Sequence, residues 1–272
     1  MKLSVLIPTD LSEAAATALK HAIKTASHWD LNVIHLCESQ KSIASAKKAL
    51  AKWVEGVDSA VEMNQIVRVG TFKDIPLVAE ELSSKLIFLG THGATGMQKI
   101  TGSNTLKLVT NSVIPYVIVQ KKSPLPTENG YKTILSTVSC NRENKQKIKP
   151  VAELAKEFNS KVILLYREEK DDGLRIETAT NLVFMKKYLS KEGIEYEVLV
   201  SNGKSFNNDT IKISAENNVD LITIMNMQMN TILGTGLLGQ NYEQELLMNK
   251  ENIPIMIVSP IMNKTSRSAI MS

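Results

Sequence analysis

The chain contains the stretch Leu86-Ile87-Phe88-Leu89-Gly90-Thr91-His92-Gly93. Its four consecutive apolar residues predict a buried strand of a parallel sheet. The glycines start where that strand should end, and Gly102-Ser103-Asn104 precedes a helix-like run over 105–109. Glycines in a strand-to-helix loop let backbone N–H groups approach a ligand, and a helix start adds unpaired N–H groups. This order predicts an anion-binding site, most often one for phosphate.

Bulk composition is that of an ordinary globular protein. The chain has 272 residues, of which 43% are apolar and 22% charged, a length that suits two domains. We expect a cytoplasmic protein without a membrane segment, because the N-terminus resembles a strand rather than a signal peptide and no apolar run approaches ~20 residues. The net charge is +4, with only short basic runs, so nucleic acid is not an expected partner.

Strand and helix patterns alternate along the first half and then restart. Strands are predicted over 3–7, 31–36, 61–69, 86–89 and 116–119, and similar runs return about 130 to 140 residues later. Alternation of this kind predicts an α/β fold of doubly wound parallel sheets. The predicted boundaries are 1–122 for the first domain, 131–260 for the second, 123–130 for a Pro- and Gly-containing linker and 261–272 for a tail.

A second motif lies at the N-terminus, where Val5-Leu6-Ile7-Pro8-Thr9-Asp10-Leu11-Ser12 follows a strand with a Pro-Thr-Asp turn. Together with the glycine-containing stretch about eighty residues later, it resembles the universal stress protein family. The internal repeat extends the resemblance over nearly the whole chain. The resemblance implies two tandem Rossmann-like domains, each with a five-stranded parallel sheet flanked by helices.

The resemblance also implies a site for ATP, AMP or ADP, with or without Mg²⁺, in the first domain. Asp10 would hold the adenosine portion, and the backbone at Leu36 would read the adenine edge. The glycine segments would hold the phosphates. The full set implied is Pro8, Thr9, Asp10, Leu36, Leu89, Gly90, His92, Gly93, Gly102, Ser103 and Asn104.

The second half departs from this pattern. Ser139 stands where Asp10 would be, and Met225 and Gln228 replace Gly90 and Gly93. Only Gly239 corresponds to the Gly-Ser pair, and Gln240 follows it. The larger side chains would fill the space that a phosphate needs, so we expect nucleotide binding in the first domain alone.

Simpler roles exist for the same residues. Gly90 and Gly93 could serve a tight turn, and Asp10 could be a helix-capping residue beside Ser12. His92 would then line a loop, and His35, inside a strand pattern, would be a packed core histidine.

The function expected is nucleotide binding in a stress-response or regulatory role, with little or no hydrolysis and no catalytic or metal site. The chain has no Walker-type lysine, no paired carboxylates for two metals and no placed base. One rival is an interaction protein of the same fold that binds no nucleotide, since the segment between Gly93 and Gly102 is one residue shorter than is usual in the family. An adenylyl-transferring enzyme is a further rival, but the turn at 8–12 is short and lacks glycine.

The predicted fifth strands of the two halves, 116–119 and 255–258, would be exposed apolar sheet edges. Such edges are usually paired or covered. We expect the two halves to pair through them within one chain, while a homodimer of whole chains stays open.

Overall fold

The structure is a computed structural model, and it describes residues 3–26, 28–57, 61–91, 109, 112–127, 129–226 and 242–261. The first half contains β1 (Ser4–Thr9), α1 (Glu13–Ala26), β2 (Asp30–Cys37), α2 (Ile43–Val57), β3 (Asn64–Val69), α3 (Ile75–Glu81), β4 (Leu86–Thr91) and β5 (Tyr116–Gln120). The second half contains β6 (Thr133–Val138), α4 (Ile148–Phe158), β7 (Lys161–Arg167), α5 (Asp172–Lys191), β8 (Tyr196–Ser201), α6 (Phe206–Glu216), β9 (Leu221–Met225), α7 (Tyr242–Leu247) and β10 (Ile255–Val258).

All ten strands form a single sheet, in the order β3-β2-β1-β4-β5-β10-β9-β6-β7-β8. Within each half the strands are parallel, and the order in one half mirrors the order in the other. The predicted α/β class and parallel strands are therefore confirmed. The two five-stranded sheets join edge to edge into one.

The join is the contact between the fifth strands. β5 pairs antiparallel with β10, with Ile118 opposite Ile255 and Tyr116 opposite Ile257. Side chains beyond the strands reinforce it, since Gln120 Nε2 donates to the Asn249 carbonyl at 2.9 Å and Ser123 Oγ to the Asn252 carbonyl at 2.6 Å. The predicted intramolecular pairing is confirmed, and it leaves neither apolar strand as an open edge.

Each face of the sheet carries its own apolar core. One core collects buried residues of α1, α2, α4 and α5, and the other collects residues of α3, α6 and α7. Side chains of each strand alternate between the two cores, as Val5 and Leu6 of β1 do. The crossovers thus cover both faces, which is the arrangement that a buried parallel sheet requires.

Two details of the elements differ from the sequence expectation. The helix predicted over 72–82 begins with a 3₁₀ turn at Phe72–Asp74, and α3 follows with Pro76 in its first turn. The helix predicted over 102–110 lies outside the described residues except for Val109, and the predicted tail does so beyond Ile261. The domain boundaries stay a prediction.

None of the helices in the described ranges combines the length and apolar character that a membrane span requires.

Candidate functional site

The carboxyl ends of β1, β2 and β4 define a crevice in the first half. β1 lies between β2 and β4, so the chain leaves β1 toward one side of the sheet and later crosses to the other. In an open parallel sheet, this point of reversal is where ligands bind. The crevice is therefore the place to look for the predicted site residues.

A tight turn follows β1 and begins α1. Asp10 Oδ1 accepts from the Ser12 amide at 3.0 Å, and Thr9 Oγ1 accepts from the Leu11 amide at 2.9 Å. Leu11 adopts a left-handed φ of 65°. Ser12 Oγ accepts from the Ala15 amide at 3.2 Å, so Ser12 is the residue that caps α1. Asp10 instead fixes the turn ahead of the helix, and the capping role considered for it is wrong.

The carboxylate of Asp10 is available to a ligand. The side chain is exposed, and the described residues provide a hydrogen bond to Oδ1 only. The backbone of the turn is ordered by its own hydrogen bonds, and among the described residues no cation pairs with Asp10. Such a carboxylate can accept bonds from hydroxyl groups.

His35 lies beside this turn, which sequence reasoning did not foresee. It is opposite Thr9 in the β1–β2 register, and its Nδ1 lies 2.9 Å from the Thr9 carbonyl oxygen. A carbonyl can only accept, so Nδ1 is the donor in this hydrogen bond. The ring is only half-buried, which corrects the expectation of a packed core histidine. His35 is the last β2 residue that has a partner in β1. This place near the end of the strand is the feature that could have indicated a position beside the turn.

Leu36 lies one residue further along β2. The β1–β2 pairing ends at His35, so Leu36 and Cys37 extend past the end of β1 while still pairing with β3. In the described part of the chain, no strand pairs with Leu36 on its β1 side. Backbone at this position can therefore face the crevice, as the family resemblance requires of it.

Gly90 is required by the packing of α1. A Cβ at Gly90 would overlap the backbone carbonyl of Ala14 and lie 2.5 Å from the amide nitrogen of Ala15. The first turn of α1 therefore lies directly against β4, which only a glycine allows. Gly90 is within the strand, so the tight-turn role considered for it is wrong.

The remaining predicted residues divide into two groups. Pro8 and Leu89 are buried within β1 and β4, so their side chains serve the sheet, and only their backbone could meet a ligand. The segment predicted to hold phosphate lies outside the described residues, and its role stays a prediction: His92, Gly93, Gly102, Ser103 and Asn104.

The strand registers fix which residues of the second half correspond to the site. Val5 pairs with Leu86 in the first half, and Ile134 pairs with Leu221 in the second, which makes Gly90 equivalent to Met225. By the same registers, the positions of Thr9, Asp10, His35 and Leu36 are taken by Val138, Ser139, Tyr166 and Arg167. The second half thus lacks each of the polar groups described above.

The second half is packed differently at the position of Gly90. The Met225 side chain is 2% exposed and packs in the core on the α4 side, which is the side that α1 occupies at Gly90. The segment after β6 forms a 3₁₀ turn over Arg142–Lys147, and regular helix begins only at Ile148. The prediction that Met225 fills the space of a phosphate stays a prediction, because the backbone of α1 occupies the equivalent place at Gly90. The other residues predicted there, Gln228, Gly239 and Gln240, lie outside the described residues.

Lys147 is a second buried residue in this region, and the sequence did not predict its burial. It is fully buried, and its Nζ donates to the Thr137 carbonyl, to Thr137 Oγ1 at 3.3 Å and to Asn144 Oδ1 at 3.2 Å. Thr137 Oγ1 in turn lies 3.4 Å from the Thr223 carbonyl of β9. The amine therefore lies at the carboxyl end of β6 beside β9, where the first half has its crevice. Burial lowers the pKa of Lys147 to about 7.

α5 stabilises the segment that follows β6. Asn181 Nδ2 donates to the carbonyls of Ser139 and Asn141, both at 2.8 Å. Asn144 Oδ1, which accepts from Lys147, also accepts from the Ser139 amide at 3.3 Å. Within the described ranges, neither half contains three His, Cys, Asp or Glu side chains grouped to hold a metal ion.

The fold is that of an open, doubly wound α/β protein, and its two halves differ in the residues described at the carboxyl ends of their strands. The profile of the universal stress protein family matches residues 1–120. The universal stress protein MJ0531 of Methanocaldococcus jannaschii is 28% identical over 143 residues, which are 43% of this chain and 81% of that protein. The universal stress protein MJ0577 of the same organism is 25% identical over 154 residues, which are 44% of this chain and 95% of that protein.

A solved structure shares the architecture of both halves. The crystal structure of a universal stress protein from Archaeoglobus fulgidus superposes with a TM-score of 0.69 at 17% identity, and the match covers 94% of this chain and 98% of that one. Residues 1–120 therefore match the universal stress protein family, and the two halves together have the fold of that structure.

Proposed function

We propose that the first half binds one adenine nucleotide in the crevice between β1 and β4, and that the second half binds none. The observation that carries this proposal is the difference between the two crevices. In the first half, the exposed Asp10 carboxylate stands at the crevice. In the second half, Ser139 stands at the position of Asp10, and the fully buried Lys147 amine lies beside the end of β6.

The groups of the first half suit the parts of a nucleotide. Asp10 can accept hydrogen bonds from ribose hydroxyls, and backbone at Leu36 can meet the edge of adenine. The start of α1 and the segment after β4 would supply N–H groups to phosphate oxygens. ATP, ADP and AMP share the adenosine portion, so this half of the site does not choose among them.

The proposed role is regulatory, in a stress response, with ATP turnover slow or absent. A dedicated ATPase uses a lysine on the phosphates, carboxylates for metal and a placed base. Lys147, which lies at the end of β6 in the other half, bonds to acceptors of Thr137 and Asn144. Any Mg²⁺ would arrive with the phosphates, since Asp10 is the only carboxylate on the turn after β1.

Isothermal titration with ATP and with AMP tests the proposal. We expect one site per chain in the unmodified protein and at least a tenfold weaker affinity in Asp10→Ala, because the carboxylate would lose its bonds to ribose. Ser139→Ala changes the equivalent position of the second half and is the matched control, which should bind as the unmodified protein does. Equal affinities for all three proteins would contradict the proposal.

A second candidate is an interaction protein that binds no nucleotide. One observation favours it specifically: the packing of α1 fully explains Gly90, so this glycine does not require a phosphate. Absence of heat and of retained ligand with either nucleotide at millimolar concentration would support this candidate over the first.

A further inference from the structure

α5 exposes an apolar face that nothing in the described chain covers. Ile176 is 64% exposed, Val183 50% and Phe184 44%. The buried side of the same helix is formed by Thr178, Asn181, Met185 and Leu189. At 100° per residue, Ile176 and Val183 lie opposite that buried side and cannot reach the sheet.

The corresponding helix of the first half has no such face. α2 buries Ala46, Leu50 and Val54, and it exposes no large hydrophobic residue. The apolar face is thus a property of α5 and not of helices at this place in the fold. α5 has 20 residues against 15 in α2, so it also presents a longer surface.

The two ends of α5 differ in net charge, which is −2 over residues 171–178 and +2 over residues 185–192 by the count of Asp, Glu, Lys and Arg. Asp171 and Asp172 are at the N-terminus, whereas Lys187 and Lys191 are near the C-terminus, and all four are exposed. Asp172 also pairs with Arg175 of the same helix at 2.7 Å. A helix with an acidic start, an apolar middle and a basic end is complementary to an antiparallel copy of itself.

We infer that two copies of the chain associate through α5, packed antiparallel about a two-fold axis near Ala179 and Thr180. In this arrangement Ile176 of one copy lies against Val183 and Phe184 of the other, and Asp172 lies opposite Lys187. Such a contact is isologous, so each of these pairs occurs twice.

The residues at the axis allow close approach. Ala179 and Thr180 are small and exposed, and Thr180 Oγ1 donates to the Ile176 carbonyl of its own helix at 2.8 Å. The threonine therefore brings no unpaired hydroxyl to the centre of the interface. Lys145 lies 5.7 Å from the Phe184 ring and flanks the contact. One pair of helices about 30 Å long gives a small interface, so the dimer should form at micromolar rather than nanomolar concentration.

Sedimentation velocity of the full chain, from about 1 to about 200 µM, tests the inference. We expect a shift from monomer to dimer in this range, and we expect Ile176→Glu to stay monomeric throughout. Leu77→Glu is the matched control, because Leu77 is 58% exposed on α3, a helix of the other face; it should dimerise as the unmodified chain does. A monomeric unmodified chain, or equal behaviour of the two variants, would overturn the inference.

Two further variants identify the geometry. Under mild oxidation in a Cys140→Ser background, Thr180→Cys should give a disulfide-linked dimer. Ser190→Cys should not, because its two copies would be about 30 Å apart. Lys187→Asp should weaken the dimer at least tenfold, and adding Asp172→Lys should restore it. Cross-linking through Ser190→Cys, or no restoration by the charge exchange, would rule out the antiparallel arrangement.

Discussion

Gly90 and Met225 occupy the same register position in the two halves of one sheet, and the chain that packs against them differs accordingly. At Gly90 the backbone of Ala14 and Ala15 lies against the strand. At Met225 the side chain fills that region, and the regular helix starts nine residues after Ser139 instead of three residues after Asp10. The residue at this one position, glycine or methionine, thus differs together with the element that packs against the strand there.

The first prediction concerns this contact. Gly90→Ala should destabilise the protein by about 2 to 3 kcal/mol, because α1 must move away from β4 to accommodate the Cβ. Urea unfolding measures the change. Gly56→Ala is the control, since a Cβ at Gly56 meets nothing within 4 Å and lies in a helix, where alanine is favoured. Equal stabilities of the two variants would show that the close approach of α1 is not needed.

The second prediction concerns Lys147. Its pKa is about 7 in the folded protein against an ordinary value of 10.5, so between these pH values the unfolded chain holds the proton and the folded chain does not. The resulting stability is complete above pH 10.5 and is lost as the pH falls to about 7. The free energy of unfolding should therefore rise by about 2 to 4 kcal/mol from pH 7 to 9.5.

Lys147→Met should remove that rise, because methionine does not titrate. Lys149→Met, a change of an exposed lysine two residues away, should keep it. Unfolding curves of the three proteins at pH 7 and 9.5 give the comparison. A rise that persists in Lys147→Met would mean that the buried amine is not its source.

The third prediction concerns His21, which lies between α1 and the start of the second half. Burial lowers its pKa to about 4, and its Nδ1 lies 3.1 Å from the Tyr131 hydroxyl. Below pH 6.5, His21 binds a proton in the unfolded chain but stays unprotonated in the folded chain until the pH approaches 4. The stability that the neutral, buried His21 contributes is therefore lost as the pH falls from 6.5 to 4. The loss should reach about 2 kcal/mol at pH 5.

Thermal unfolding at pH 7 and 5 checks this, with variants that separate His21 from other titrating groups. His21→Gln should show a smaller loss between the two pH values than the unmodified protein. His28→Gln changes a histidine whose side chain is 62% exposed and whose Nε2 contacts Glu157, so it measures the effect of losing a surface histidine. Equal losses in His21→Gln and in the unmodified protein would show that His21 is not responsible.

The fourth prediction concerns the hydrogen bond from His35 to the Thr9 carbonyl. His35→Leu should weaken ATP binding about tenfold, because the turn that carries Asp10 loses its tie to β2. His35→Asn should retain most of the affinity, since its amide can donate to the same carbonyl. A fluorescent ATP analogue reports both affinities. Equal losses in the two variants would indicate that the ring itself contacts the ligand.

The sequence predicted what repeats along the chain, and it missed what depends on contacts between distant segments. The apolar runs at 116–119 and 255–258 predicted the join between the halves, because strand edges of this kind need a partner. Gly90 was assigned to phosphate or to a turn, since its contact with Ala14 is a tertiary one. Lys147 belongs to a lysine-rich run that is typical of a solvated surface, and only the structure reveals that it is buried.

A crystal structure of the chain with ATP tests the central claim most directly, because the two crevices lie in one molecule and experience the same ligand concentration. We expect nucleotide density at the carboxyl ends of β1 and β4 beside Asp10, and none between β6 and β9 where Lys147 lies. Nucleotide in both crevices, or in the second alone, would contradict the account.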